Sequence, residues 1–216
     1  MVDCTSVQPP TRVLRRRFSR FLANHTPWKL PLRKTLRRID QNDWNAVIFG
    51  GVLRDLTLFG NAQLPRDVDV VVAGASSKDL EAAFKDLICD RNRFGGFRLR
   101  PRGWLIDIWA LEDTWAFRQQ GIESFSFDAL VKTTFLNVEA VAAEVSASTG
   151  RARSIYSAGF FEAVDDKILD INYEPNPYPI LCTVRSITAA IRIFKIYKKA
   201  VASAGDRGDL AACDQT

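Results

Sequence analysis

The stretch that decides the fold is Gly-Gly-Val-Leu-Arg-Asp at residues 50–55, followed by Arg-Asp-Val-Asp-Val-Val-Val at residues 66–72. The first run follows the apolar segment 46–49, a pattern typical of a buried strand that turns into a helix. The second run places Asp67 and Asp69 two positions apart, so in a strand they share one face about 7 Å apart along the chain. Because neighbouring carboxylates repel, we interpret them as ligands of a bridging cation beside a helix start that favours phosphates. The two runs together predict a metal-dependent nucleotide site.

The hydrophobic periodicity around these runs predicts strands that alternate with helices. We predict strands over 45–49, 67–73, 97–100, 105–110 and 136–145, the 97–100 and 105–110 pair joined by a short Pro-Arg-Gly turn. We predict helices over 31–40, 51–59, 76–90, 125–132 and 180–201, and a basic amphipathic helix before residue 24. Ser77 is the predicted cap of the helix over 76–90. This order predicts an α/β or α+β fold with a mixed sheet, flanked by helices and closed by a long C-terminal helix.

Length and composition indicate a soluble globular protein. The chain has 216 residues and is 47% apolar, enough for one compact domain or a domain with an arm. No apolar run approaches the roughly 20 residues that a membrane span needs, and the N-terminus has no secretory h-region. The four cysteines, Cys4, Cys89, Cys182 and Cys213, fit no zinc-binding spacing. We therefore expect a reducing, cytoplasmic location, with Cys89 and Cys182 as buried thiols.

The net charge of +5 is concentrated at the N-terminus, where residues 1–38 hold ten Lys or Arg and one acid. The rest of the chain holds 20 bases and 24 acids. Three interpretations stay open: a surface for nucleic-acid phosphates, a mitochondrial transit peptide, or a solvated helix face. We predict a basic helical arm over 1–43, a head domain over 44–204 and a disordered tail over 205–216.

The order of strand, glycine motif and Asp-x-Asp strand resembles the head domain of the class II nucleotidyltransferases. These are the bacterial poly(A) polymerases and CCA-adding tRNA nucleotidyltransferases of the polymerase-β-like superfamily. The resemblance covers roughly residues 44–196. The family's glycine motif is matched by Gly50, Gly51, Arg54 and Asp55, and its metal-binding carboxylates by Asp67 and Asp69. Its third strand carboxylate is matched by Asp107, in Leu-Ile-Asp-Ile-Trp at residues 105–109.

Two later family motifs are matched more loosely. The run 131–137 lacks the family's arginine pair and aspartate but keeps Asn137, and Lys132 lies in the same run. Residues 184–194, with Arg185, are similar to the arginine-rich helix that closes the family's head domain. The resemblance stops before the helical domains that select the base and grip tRNA, so it implies the chemistry but not which nucleotide is used or that the RNA is tRNA.

The resemblance implies transfer of an NMP from an NTP to an acceptor hydroxyl, most simply an RNA 3′ end, with release of pyrophosphate. Two Mg²⁺ ions suit this reaction, because they neutralise charge and need hard oxygen ligands. The implied ligands and catalytic residues are Asp67, Asp69 and Asp107, and Asp107 would also help to deprotonate the acceptor hydroxyl. The implied partners are an NTP and, through the basic arm, RNA.

The implied nucleotide-binding residues are Gly50, Gly51, Arg54, Asp55, Arg66, Lys132, Asn137 and Arg185. Some have a second interpretation. Arg54 either reaches phosphates or braces the turn by pairing with an acid, and Asp55 suits the dipole of a helix start. Arg66 fits a carboxylate partner as well as a phosphate ligand. Two rival functions also stay open: a different acceptor (a protein hydroxyl, a small molecule, or tRNA modified in a toxin-like way) and a catalytically silent nucleotide-binding module.

Overall fold

The computed structural model describes residues 10–23, 30–60, 65, 67–92, 94–100, 105–120, 122–146 and 151–172, together with 191 and 195. The predicted helix over 180–201 therefore falls almost wholly outside the described residues. Arg66, Arg185 and Cys182 also lie outside them, as does the predicted tail over 205–216.

The centre of the described chain is a mixed sheet of seven strands. They are β1 (Asn45–Phe49), β2 (Asp67–Ala73), β3 (Ile88–Arg91), β4 (Phe97–Leu99), β5 (Leu105–Ala110), β6 (Val141–Ser146) and β7 (Arg151–Ser157). Their order across the sheet is β3-β4-β5-β2-β1-β6-β7. Within this sheet the neighbours β2 and β5 run parallel, and the other pairs are antiparallel. The mixed sheet predicted from the sequence is confirmed.

Helices cover both faces of this sheet. They are α1 (Pro10–Ala23), α2 (Leu30–Asp40), α3 (Gly51–Phe59), α4 (Ser77–Phe84), α5 (Trp115–Gln120), α6 (Phe127–Lys132) and α7 (Phe160–Asp165). Short 3₁₀ turns occupy 111–113 and 137–139. No helix within the described part of the chain is long and apolar enough to span a membrane.

Strand β2 shows how the sheet separates two environments, because successive side chains of a strand point to opposite faces. Val68, Val70 and Val72 join the larger hydrophobic core, which includes buried residues of α1 to α4 and α7. We call this side the helix-packed face. The alternate residues of β2 lie on the opposite side, the acid face, where Val71 packs in a smaller core with residues of α5 and α6 while Asp67 and Asp69 are half-buried.

The two N-terminal helices contribute buried residues to the larger core, and the domain boundary at residue 43 stays a prediction. Phe18 and Leu32 are fully buried in the same cluster as the strands. Arg17 donates hydrogen bonds to the carbonyl oxygens of Leu56 and Thr57 near the end of α3, at 3.1 and 2.7 Å. The apolar stripes of α1 and α2 need a partner surface, and the sheet provides it.

Two predicted elements have different bounds. The predicted helix over 76–90 ends at Phe84, because the chain then enters β3, which pairs with β4. Ser76, not Ser77, caps α4, and Asp79 completes the capping box. Cys89 consequently lies on β3 as an exposed free thiol, so its predicted burial is wrong.

The predicted strand over 136–145 is also shorter in the structure. Its first residues form the 3₁₀ turn at 137–139, and β6 begins only at Val141. Strand β7 and helix α7 were not predicted. Strand β7 is an edge strand with mostly exposed or half-buried residues, so it lacks the apolar alternation that marks a strand in sequence.

Candidate active site

The glycine motif and the carboxylates meet at one end of the sheet. Strand β1 ends at Phe49, which lies opposite Asp69 in the antiparallel pairing of β1 with β2. The parallel pairing of β2 with β5 then places Asp69 beside Asp107. Adjacent strands lie about 4.8 Å apart. The fold therefore brings Asp107 next to Asp69, although 38 positions separate them in the sequence.

The three carboxylates share the acid face. Asp67 and Asp69 are alternate residues of β2, and Asp107 is the β5 partner of Asp69 in register. All three are half-buried, and the Asp107 side chain is 15% exposed. The structure therefore brings together the three carboxylates that the sequence motifs suggested.

Arg98 on the neighbouring strand β4 holds the third carboxylate. It lies opposite Asp107 in the antiparallel pairing of β4 with β5. Its Nε donates to Oδ1 of Asp107 at 2.8 Å, and its Nη2 donates to Oδ2 at 2.9 Å. The hydrogen bonds and charge of Asp107 raise the pKa of the Arg98 guanidinium above its ordinary value. Both oxygens of Asp107 are thus engaged by one arginine.

The turn between β1 and α3 requires glycine at its first position. Gly50 has φ 66° and ψ −119°, a conformation that strains any residue with a Cβ atom. Its N–H donates to the carbonyl oxygen of Val141 at 2.9 Å, which ties the turn to β6. Gly51 begins α3, so the first-turn N–H groups of a nine-residue helix emerge at the same end of the sheet as the carboxylates. Such a helix start favours an anionic ligand.

Arg54 braces this turn from within the protein. Its side chain is only 1% exposed, and it pairs with Asp55 at 2.9 Å and with Glu139 at 2.5 Å. Of the two interpretations of Arg54, the structure favours pairing with acids over contact with phosphates. Asp55 is one of the two acids that pair with Arg54. The contact with Glu139 links α3 to the 3₁₀ turn that precedes β6.

The remaining predicted nucleotide-binding residues make other contacts or lie outside the described chain. Lys132 is exposed on α6 and pairs with Asp128 one turn earlier. Asn137 accepts hydrogen bonds from the N–H groups of Val138 and Asp170, and its amide donates to the carbonyl oxygen of Ile168. These contacts give Asn137 a structural role in joining two loops.

Sequence reasoning missed two arginine contacts that shape this site. Arg98 could have been found from the predicted hairpin, because pairing 97–100 with 105–110 across a short turn brings an arginine opposite the aspartate. Glu139 had no comparable signal, since it lies within a segment predicted as a strand. Its contact with Arg54 spans 85 positions of sequence.

The donor set suits a hard divalent cation at two of the three carboxylates. Asp67 and Asp69 offer oxygen ligands of the kind that Mg²⁺ prefers. Asp107 is engaged by Arg98, and across the described ranges no group of three or more His, Cys, Asp or Glu side chains is arranged to hold a metal ion. These oxygen donors fit a hard divalent cation, and the three-carboxylate site for two ions stays a prediction.

Comparison with solved structures identifies the fold. A CCA-adding enzyme in complex with CTP has a TM-score of 0.56 at 18% identity, covering 95% of this chain and 48% of that enzyme. A complex of a CCA-adding enzyme with ATP has a TM-score of 0.54 at 17% identity, covering 89% and 41%. The Thermotoga maritima CCA-adding enzyme complexed with tRNA has a TM-score of 0.52 at 19% identity, covering 72% and 36%.

These similarities confirm the predicted fold, because the chain shares the arrangement of strands and helices of these CCA-adding enzymes over the matched regions. The chain spans less than half the length of each of these three enzymes. No protein-family model matches the sequence, and no curated protein sequence matches it. The identities are low, so the similarity establishes the arrangement of strands and helices and leaves the activity to be argued from the site.

Proposed function

We propose that this protein is a metal-dependent nucleotidyltransferase that moves an NMP from an NTP to the 3′ hydroxyl of an RNA, with tRNA as the first substrate to test. One observation carries the proposal: the pairing of Phe49 with Asp69 and of Asp69 with Asp107 places the glycine turn and the carboxylates at one end of the sheet. The solved neighbours with this fold are described as CCA-adding enzymes in complex with CTP, ATP or tRNA.

The proposed reaction needs alignment and charge neutralisation more than covalent chemistry. The triphosphate is proposed to bind at the start of α3, after the turn at Gly50, because the helix dipole favours an anion there. Asp67 and Asp69 would hold Mg²⁺, and the ion would supply neutralisation of charge on the transferring phosphoryl group and the leaving pyrophosphate. Asp107, beside Asp69, would accept the proton of the acceptor hydroxyl once Arg98 has moved away from it.

RNA is proposed to bind the exposed arginine and lysine side chains of α1 and α2. Arg17 and Arg38 already make contacts within the protein. Arg17 donates hydrogen bonds to carbonyl oxygens near the end of α3, and Arg38 binds Asp86 and the Ala83 carbonyl oxygen near the end of α4. The exposed bases of the two helices are available to phosphates: Arg12, Arg15, Arg16, Arg20, Lys34 and Arg37. Because both helices pack on the helix-packed face, RNA held there must pass around the sheet to bring its 3′ end to the acid face.

The test is incubation of the full chain with each α-labelled NTP, Mg²⁺, and either tRNA, total RNA or a protein lysate. We expect label in RNA that depends on Mg²⁺ and on one or more particular NTPs. The double variant Asp67→Asn, Asp69→Asn should transfer no label while keeping the circular dichroism spectrum of the parent. A matched control is Asp165→Asn, which changes an exposed carboxylate of α7 and should leave transfer unchanged.

Each alternative acceptor gives a different result in the same experiment. Label in protein, or in a small molecule, would keep the transferase and replace the RNA acceptor. Absence of label in every fraction, with NTP binding retained, would favour the catalytically silent module. Equal transfer by the parent and the Asp67→Asn, Asp69→Asn variant would overturn the assignment of the site.

A further inference from the structure

Arg98 places a positive charge at the site that neither the glycine motif nor the Asp-x-Asp motif accounts for. Its position is set by the backbone, because β4 and β5 pair in register with Arg98 opposite Asp107. Residues opposite each other in an antiparallel pair project from the same face. Arg98 therefore projects onto the acid face, next to the strand that carries Asp107 and one strand further from Asp69.

The contact between the two side chains occupies both carboxylate oxygens. Nε and Nη2 of Arg98 bind Oδ1 and Oδ2 of Asp107 in a fork at 2.8 and 2.9 Å. An arginine keeps its charge at every working pH, so this pairing is not relieved by deprotonation. The guanidinium offsets the negative charge of a carboxylate held in this way, which weakens the attraction of that carboxylate for a cation.

We propose that Arg98 withholds Asp107 from a divalent cation that binds at the acid face of the substrate-free protein. This inference rests on the proposed function and assigns Arg98 as a positioning residue within it. It predicts that Asp107 becomes available to a cation only when Arg98 is displaced or replaced.

The structure also offers Arg98 a second partner. On its other side, the pairing of β3 with β4 places Asp90 opposite Arg98, so the guanidinium lies between carboxylates on two neighbouring strands. Asp90 is exposed, and the Arg98 side chain is itself 39% exposed. Movement of the guanidinium from Asp107 toward Asp90 would keep it paired and hydrated. Release of Asp107 therefore does not require an arginine to be left buried and unpaired.

The test is Mn²⁺ binding to the full chain without nucleotide, measured by the loss of the free Mn²⁺ electron paramagnetic resonance signal. Replacement of Arg98 by Gln should tighten Mn²⁺ binding by about tenfold or more, because a carboxylate near the ion is released and a positive charge is removed. The double variant Arg98→Gln, Asp107→Asn should return to the parent affinity. Asp69→Asn should abolish most of the binding.

A matched control separates ligation from a general change of charge. Arg91→Gln removes an arginine from the adjacent strand β3, where it pairs with Glu81 and its guanidinium lies over the Phe97 ring. It should change the affinity far less than Arg98→Gln. The difference between the two should persist at about 0.5 M KCl, where the Debye length falls to a few ångströms.

The outcomes distinguish this inference from the function on which it rests. If Asp69→Asn weakens Mn²⁺ binding but Arg98→Gln does not strengthen it, the inference about Arg98 is wrong and the metal site stands. If the tighter Mn²⁺ binding of Arg98→Gln persists in the double variant Arg98→Gln, Asp107→Asn, the inference about Arg98 is also wrong. If Asp69→Asn binds Mn²⁺ as well as the parent does, both the inference and the proposed metal site fail.

Discussion

The two faces of the central sheet are built from the same strands but perform different tasks. On β2, Val68, Val70 and Val72 are fully buried against the helices of the helix-packed face. The residues between them include Asp67 and Asp69, half-buried on the acid face. Strand β5 repeats the arrangement, with Ile106 and Ile108 buried on one side of the sheet and Asp107 on the other.

This difference shows how the fold can tolerate clustered acids. Asp67 and Asp69 lie close together on one face, and their repulsion is costly when both are ionised, whereas Arg98 offsets the charge of Asp107. The apolar residues of the opposite face contribute the burial that compensates for this cost. Stability and chemistry are therefore carried by alternate residues, and substitutions on the two faces should have separable effects.

The largest expected effect is on the acid face. Asp69→Asn should lower transfer by about 10²–10³-fold, because it removes a charged ligand that acts in the reaction. The melting temperature should not fall, since the substitution also relieves repulsion between carboxylates. Steady-state transfer and a thermal melt, both without and with Mg²⁺, measure the two quantities. A large fall in melting temperature would mean that the acid face also carries stability.

A buried residue of the other face should give the opposite result. Val70→Ala should destabilise the protein by about 2 kcal/mol, because two buried methyl groups are removed and a cavity remains. Urea unfolding monitored by tryptophan fluorescence measures this change. Transfer at a temperature well below the melt should stay close to that of the parent. A strong loss of activity in folded protein would break the proposed separation of the two faces.

The glycine turn links β1 to α3, and its substitution should affect both the stability of the protein and NTP binding. Gly50→Ala forces a side chain into a positive φ and should cost about 1–2 kcal/mol. The nearest atom to the added Cβ is the Glu139 carbonyl oxygen at 3.8 Å, so the cost comes from the backbone and not from a clash. NTP binding should weaken with it, as read by fluorescence titration. Gly60→Ala is a matched control. Gly60 also has a positive φ, 62°, but it caps the C-terminal end of α3.

The smallest effect is expected from substitution of exposed arginines of α1. The double variant Arg15→Gln, Arg16→Gln should weaken RNA binding and flatten the log–log salt dependence by roughly 0.7–0.9 for each RNA phosphate that these arginines neutralise. Titration of labelled RNA at several KCl concentrations gives the slope. NTP binding should be unchanged, because α1 packs on the face opposite the carboxylates. An unchanged slope would favour the solvated-helix interpretation.

Most of the strand and helix positions around the site could be predicted from the sequence. Strands β1 and β2 and helix α3 have the bounds expected from their apolar runs and from the glycines that flank α3. Strand β3 was missed because its residues follow a helical pattern from Ser77 onward, and pairing with β4 overrides that local preference. The basic amphipathic helix before residue 24 and the helix over 31–40 were predicted, and their narrow apolar stripes pack into the larger core.

The sequence by itself determined that Asp67 and Asp69 share a face, because they lie two positions apart in a strand, and that a glycine turn precedes them. It also supplied Asp107 as the third acid. Only the tertiary structure decided what each of these groups faces. Strand order placed Asp107 beside Asp69 and set Arg98 against it, and Glu139 came to Arg54 across 85 positions. Spacing along a chain fixes local geometry, whereas contacts between strands depend on sheet order and register, which no short motif encodes.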